Sequence, residues 1–269
     1  MSCILRRALY YAAVSTLILQ APAASAQDEE FDHFSISIGV FLTDRESKTR
    51  LDGSLGDEGS DVDLESDLGL DRSDTVFRFD GYYRFNDRHR IDISAFDLSR
   101  SKNRVIDEEI EWGDTVFPIN VNIRSELDLA IYKLAYTWSF MQRDKGYLGL
   151  TGGLYVLSLG TKLSASDIGS VESDGLTAPL PVIGLRGEYQ ISEKFTFRAS
   201  GELFALKYNE YDGTLVDLYA GIDYGLSEHT SIGLGLNSVN LDVDVSRNQF
   251  NGNLNWRYDG GLLFLKFDF

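Results

Sequence analysis

Chemistry in this chain would have to come from three histidines, one cysteine, and carboxylates and arginines that recur at every second position. His33, His89 and His229 are the natural candidates for a general base beside a Ser, an Asp or a water. Cys3 lies ahead of an apolar N-terminal stretch and no other cysteine follows it. If that segment is removed, thiolate catalysis and Cys-based zinc sites are excluded. Asp61, Asp63, Glu65 and Asp67 alternate within an acidic run, and such hard oxygens suit Ca²⁺ or Mg²⁺. The spacing departs from the EF-hand loop, which needs a Gly at its sixth position and a closing Glu. The run is therefore read as a solvated loop, with no metal site and no cofactor expected. The third group is Arg78, Asp80, Arg84, Asp92, Lys133, Arg186, Glu188, Arg198, Glu202, Asp217 and Asp223. These charges are of mixed sign, stand opposite aliphatic and aromatic residues, and are read as lining a lumen, where enclosure favours pairing.

The segments that carry them alternate apolar and polar residues with period two, the pattern of half-buried strands. Ten such segments are Ser35–Leu42, Thr75–Phe85, Ile91–Ser94, Tyr132–Phe140, Leu148–Val156, Pro181–Ile191, Phe195–Ala205, Leu218–Leu226, Ile232–Asn237 and Leu263–Phe269. Four connections are tight and polar, at Asn86–His89, Gln142–Gly146, Ser192–Lys194 and Ser227–Thr230. Longer links fall between them, at about Thr43–Ser73, Ser101–Arg124, Lys162–Thr177, Asn209–Thr214 and Ser246–Asn251. An even number of strands, short turns at one end and long loops at the other predict an all-β, closed, antiparallel, up-and-down transmembrane barrel. Its turns would be periplasmic and its loops extracellular.

A secreted β-sandwich also alternates, but it hides its apolar face. Here the face to be enclosed is the charged one. Aromatics crowd the short-turn end (Phe85, Trp138, Phe140, Tyr189, Phe195, Phe197, Tyr224), as an interfacial girdle does. Leu263, Leu265, Phe267 and Phe269 alternate up to the last residue, which resembles the C-terminal signal read by barrel-assembly machinery. Phe264 stands where that signal commonly has Gly. Parity slips between Trp256/Tyr258 and the Leu263 series, and a bulge at Gly260-Gly261 is expected to absorb the slip.

Met1–Ala26 has basic Arg6 and Arg7, an apolar stretch from Ala8 to Leu19, and Ala24-Ser25-Ala26. This is the pattern of a secretory signal cleaved after Ala26, leaving 27–269 as one barrel domain. Loss of Arg6 and Arg7 takes the formal charge from −17 to −19. Such acidity excludes nucleic acid as a partner, because phosphate binding needs a basic face. An apolar fraction of 43% excludes a disordered acidic chain. Asp44–Arg72 holds ten acidic and four basic residues. Alternation across Val62, Leu64 and Leu68 would let part of this loop extend a hairpin or fold into the mouth.

The stretches Asp61–Asp71 and Gly81–Asp92 resemble segments of an uncharacterised proteobacterial family of small Gram-negative outer-membrane β-barrels. The resemblance implies fold and a cell outer-membrane location, and brings no activity. Enzymes among outer-membrane barrels are similar to one another in keeping a His near the outer rim, whereas this topology sets His33, His89 and His229 at the periplasmic end. The expectation is a non-enzymatic barrel with a structural or surface-interaction role. The alternatives are a small porin-like channel for ions or polar solutes and, further off, a lipid-modifying enzyme or protease. Expected partners are outer-membrane lipid and lipopolysaccharide and the barrel-assembly machinery, with the extracellular partner left open.

Overall fold

The computed structural model describes residues 33–53, 59–165, 168–208, 211–247 and 250–269. The expected signal segment lies outside these residues, as do Asp57 and Glu58 of the acidic run. Among the described residues there are strands and no helix. The strands are β1 (Phe34–Leu51), β2 (Val62–Asp63), β3 (Ser73–Asn86), β4 (His89–Val105), β5 (Ile110–Trp112), β6 (Thr115–Phe117), β7 (Asn122–Arg143), β8 (Gly146–Ala165), β9 (Ser170–Gln190), β10 (Phe195–Tyr208), β11 (Tyr211–Gly225), β12 (Thr230–Arg247) and β13 (Phe250–Asp268). Ten of them are long and form an antiparallel ring in the order β13-β12-β11-β10-β9-β8-β7-β4-β3-β1. β1 closes on β13 from Ser35↔Asp268 to Leu51↔Gly252. The expected closed, antiparallel ten-strand barrel is what forms.

Alternation continues along each long strand, but the apolar set changes sides part-way up. On β7, Tyr132, Leu134, Tyr136 and Trp138 are exposed outward, while Leu127, Leu129 and Ile131 nearer the loops are buried inside. On β12, Ile232, Leu234 and Leu236 point out and Val239, Leu241 and Val243 point in. On β13, Leu263 and Leu265 point out and Leu254, Trp256 and Tyr258 point in. The lower wall thus has the outer face that lipid requires, and the upper wall the one that water requires. The register of β13 with both neighbours runs through Gly260-Gly261 without a shift, so the bulge expected there is absent. The parity slip is the change of side itself. Irregularities lie instead beside the short turns, between Arg84/Asn86 and between Ser139/Met141.

The same change of side corrects the loop lengths. β8 and β9 continue to Ala165 and from Ser170, β10 and β11 to Tyr208 and from Tyr211, and β12 and β13 to Arg247 and from Phe250. Three links expected to be long are therefore hairpins. Above the belt the strands carry polar residues outward, so a search for lipid-facing runs ends them too early. The two long connections run from β1 to β3 and from β4 to β7, and their described parts 59–72 and 106–121 fold inward.

Candidate functional site

The interior of the lower wall is a charge network. Its inward positions hold seven cations (Arg78, Arg84, Arg90, Lys133, Arg186, Arg198, Lys266) and seven carboxylates (Asp80, Asp92, Glu188, Glu202, Asp217, Asp223, Asp268). The equality helps so many charges share one enclosure, because the layer as a whole is neutral and most of its members are paired. Arg78 Nε meets Asp80 at 3.0 Å, Arg198 meets Asp223 at 2.8 Å and Lys266 meets Asp268 at 2.9 Å. Arg90 pairs with Asp92, lies over the Tyr82 ring at 3.9 Å and donates to the Tyr147 hydroxyl at 3.0 Å. Glu202 is the hub. It pairs with Lys133, lies 3.4 Å from Arg186 and accepts the Tyr155 hydroxyl at 2.9 Å. Asn237 links Asp217 to Arg78, donating at 2.6 Å to the first and accepting at 2.7 Å from the second. What is left open is a cavity of about 70 Å³ among these side chains, reached by Ser35, Ser37 and Tyr219.

Above this layer the interior is mainly apolar, with Arg45, Glu65 and Arg100 buried among the apolar side chains, and the mouth is covered. β3 begins at Ser73, so the upper ends of β1 and β4 have no β3 between them. Segment 62–71 fills the gap: β2 pairs with Lys48 and Thr49, and the Leu64 N–H donates to the Ser47 carbonyl at 2.9 Å. Its latch is Glu65, which accepts Arg100 Nη1 at 2.6 Å and the Ser47 N–H at 2.8 Å. Val62, Leu64, Leu68 and Leu70 are buried beneath it, so the alternation seen in the sequence does fold into the mouth.

The second long connection forms the hairpin β5–β6, turned at Gly113 with φ 60°. Trp112 and Phe117 on its inner face are 2% and 0% exposed. At one edge the Gly113 N–H donates to the Leu51 carbonyl at 3.0 Å and the Ser60 N–H to the Glu111 carbonyl at 2.8 Å. At the other, the Thr115 hydroxyl donates to Glu172 at 2.9 Å. β1 and β9, which carry Leu51 and Glu172, stand diametrically opposite in the ring. The hairpin rises between β4 and β7, and its turn closes over the mouth where the Leu51 and Glu172 side chains both lie beside Gly113.

All eleven charges singled out in the sequence lie on the inward side of the lower wall. Arg90, Lys266 and Asp268 join them and were missed, although they share the parity of their neighbours, because they sit at strand ends beside turns. Tyr155 and Asn237, which tie the carboxylates together, stand among aliphatic and Gly residues that gave no hint of polarity. The four metal candidates do not converge. Glu65 turns inward to Arg100, Asp63 accepts the Glu65 and Ser66 N–H groups at 3.1 and 2.8 Å, and Asp67 accepts the Asp63 N–H at 2.8 Å. Glu65 also corrects the reading of this run as wholly solvated, since a buried guanidinium draws it inside. His33 precedes β1, His89 opens β4 and His229 precedes β12, all at the short-turn end.

An apolar outer belt, a charge-paired interior and short turns at one end define a Gram-negative outer-membrane β-barrel. No known protein family matches the sequence and no curated protein does. Among solved structures, the chain is similar to the outer membrane protease OmpT from Escherichia coli, at 12% identity and TM-score 0.60 over 91% of this chain and 100% of that one. It also aligns with Ail, the attachment invasion locus protein of Yersinia pestis, at 15% identity and TM-score 0.39 over 86% and 97%. The toluene transporter TodX of P. putida aligns at 8% identity and TM-score 0.34 over 89% and 91%. At these identities the likeness is one of fold, and of the three the OmpT alignment carries it. That alignment overturns one expectation. A non-enzymatic barrel was expected from the placing of three histidines, yet a barrel of this architecture is a protease.

Proposed function

We propose that the protein is an outer-membrane barrel that holds a lidded, acidic outer end at the cell surface, in a structural or surface-interaction role, without passing solutes. The observation that carries this reading is the β5–β6 hairpin lying across the mouth above an interior filled by paired side chains. Asp107, Glu108, Glu109 and Glu111 are exposed on that lid. They offer negative charge to an extracellular partner or to divalent ions shared with lipopolysaccharide phosphates. Export would follow from Met1–Ala26 with cleavage after Ala26, and assembly from the alternating Leu263, Leu265, Phe267 and Phe269. The test is conductance of the purified barrel in a planar bilayer, with silence expected. Reproducible ion-selective steps would overturn the reading. N-terminal sequencing of the outer-membrane fraction should begin at Gln27.

A further inference from the structure

The outer face of the lower wall is not uniformly clad in large side chains. On three successive strands, glycines fall on a diagonal of outward positions. Gly146 on β8 pairs with Tyr189, Gly187 on β9 pairs with Leu148 and Ala199, and Gly201 on β10 pairs with Leu185. The missing side chains leave a groove of about 460 Å³, floored by Gly187, Ala199 and Gly201 and walled by Leu148, Tyr189 and Phe197. At its turn end stands Arg143, register partner of Gly146, exposed and with its side chain in no hydrogen bond or ion pair among the described residues.

A groove in this position has its occupant restricted by its surroundings. It opens sideways, between exposed Leu and aromatic side chains that belong to the lipid-facing belt, so water does not fill it. A slender, flexible hydrocarbon chain follows a diagonal depression where a protein side chain or a second barrel wall does not. The cation at one end adds a requirement for an anion at headgroup depth, and a guanidinium matches phosphate geometry in two hydrogen bonds. Arg143 lies at the short-turn end, which selects the periplasmic leaflet.

We propose that this groove is a binding site for an anionic glycerophospholipid of the periplasmic leaflet, with one acyl chain over Gly187 and Gly201 and the phosphate at Arg143. The site adds to the surface role proposed above and shares with it the placement in the membrane. It gives the barrel a fixed lipid on one flank rather than an interchangeable lipid shell.

The test uses the purified barrel folded in detergent micelles that contain phosphatidylglycerol and phosphatidylcholine in equal amounts, read by native mass spectrometry. The wild type should retain phosphatidylglycerol in preference to phosphatidylcholine. Gly201→Leu fills the groove, and its Cβ meets only the movable end of Leu218, at 3.2 Å. It should lower retention about tenfold, the equivalent of about 1.4 kcal/mol. Gly152→Leu is the control: it lies on the same outer face, where a Cβ meets nothing within 4 Å, and should retain lipid as the wild type does. Arg143→Gln should keep a bound lipid and lose the preference for phosphatidylglycerol. Equal retention by wild type and Gly201→Leu, or a wild type without preference, overturns the proposal. If boiled and unboiled wild type migrate alike, the membrane placement itself falls, and the site with it.

Discussion

Glu202→Gln removes one charge from a carboxylate with three interior partners while keeping its volume. Glu202 is 2% exposed, and its neighbours are Lys133, Arg186 at 3.4 Å and the Tyr155 hydroxyl at 2.9 Å. An amide oxygen still accepts from Tyr155, so what is lost is electrostatic. The loss is unevenly shared. Arg186 keeps Asp92 at 3.8 Å. Lys133 has no other carboxylate in ion-pair range among the described residues, and is left with the Tyr155 ring at 5.0 Å. Breaking a buried pair costs about 3–5 kcal/mol, and with one of the two cations still paired the lower end, about 3 kcal/mol, is expected. Replacing both partners by neutral groups is nearly neutral, so Glu202→Gln combined with Lys133→Met should recover about 2 kcal/mol of that loss. Equilibrium urea unfolding of the barrel in phospholipid vesicles, followed by tryptophan fluorescence, measures both. A single variant within about 0.5 kcal/mol of wild type, the range of an inert surface change, would refute the view that these charges hold one another. So would a double variant less stable than the single one.

Three further outcomes are expected. Trp112→Ala leaves a void beneath the lid and should destabilise the barrel by about 3–5 kcal/mol in the same unfolding assay. Glu65→Gln weakens the latch to Arg100, so segment 59–72 should be cut faster by protease added to intact cells, while the lower wall stays resistant; an unchanged cutting rate would count against the latch. Gly233→Ala places a methyl group where the Phe264 ring lies. It should destabilise by about 1–3 kcal/mol, as overpacking does, and the larger Gly233→Val should prevent a heat-modifiable band from forming.

The lower wall was legible because lipid imposes the largest contrast between the two faces of a strand. Arg78 and Asp80 beside Phe77 and Phe79 leave little doubt about side. The upper wall was not legible, because that contrast weakens there. On β1 the outward Asp44, Glu46 and Lys48 alternate with inward Arg45, Ser47 and Thr49, so both faces read as polar and the strand looked like a loop. The lid was missed for a different reason. Its strands are three residues long, too short for a period to declare itself, although Ile110, Trp112 and Phe117 in so acidic a segment were a sign of burial. Phe264, which looked like a departure from the assembly pattern, has a local explanation. Its cross-strand partners are Gly39 and Gly233, and the ring lies over the gap they leave, with Arg198 stacked on it at 5.3 Å. The glycine is supplied by the neighbouring strands instead of by the last one. That exchange depends on pairing between distant segments, which no local pattern records.

The seam between β1 and β13 has a consequence for how the molecule comes into being. It joins residues separated by nearly the whole chain, Ser35 with Asp268 at one end and Leu51 with Gly252 at the other. Until the last strand arrives, every partly built wall has two raw edges, each able to accept a foreign strand. Such distant pairing is also slow to form, because the chain must be brought round before any contact rewards it. A chain that lost β13 would not be a barrel lacking one tenth of its wall. It would be an open sheet, with its charged lining exposed to whatever lay alongside. Completion is therefore all-or-none, and the final strand acts as the closing stitch for every strand before it.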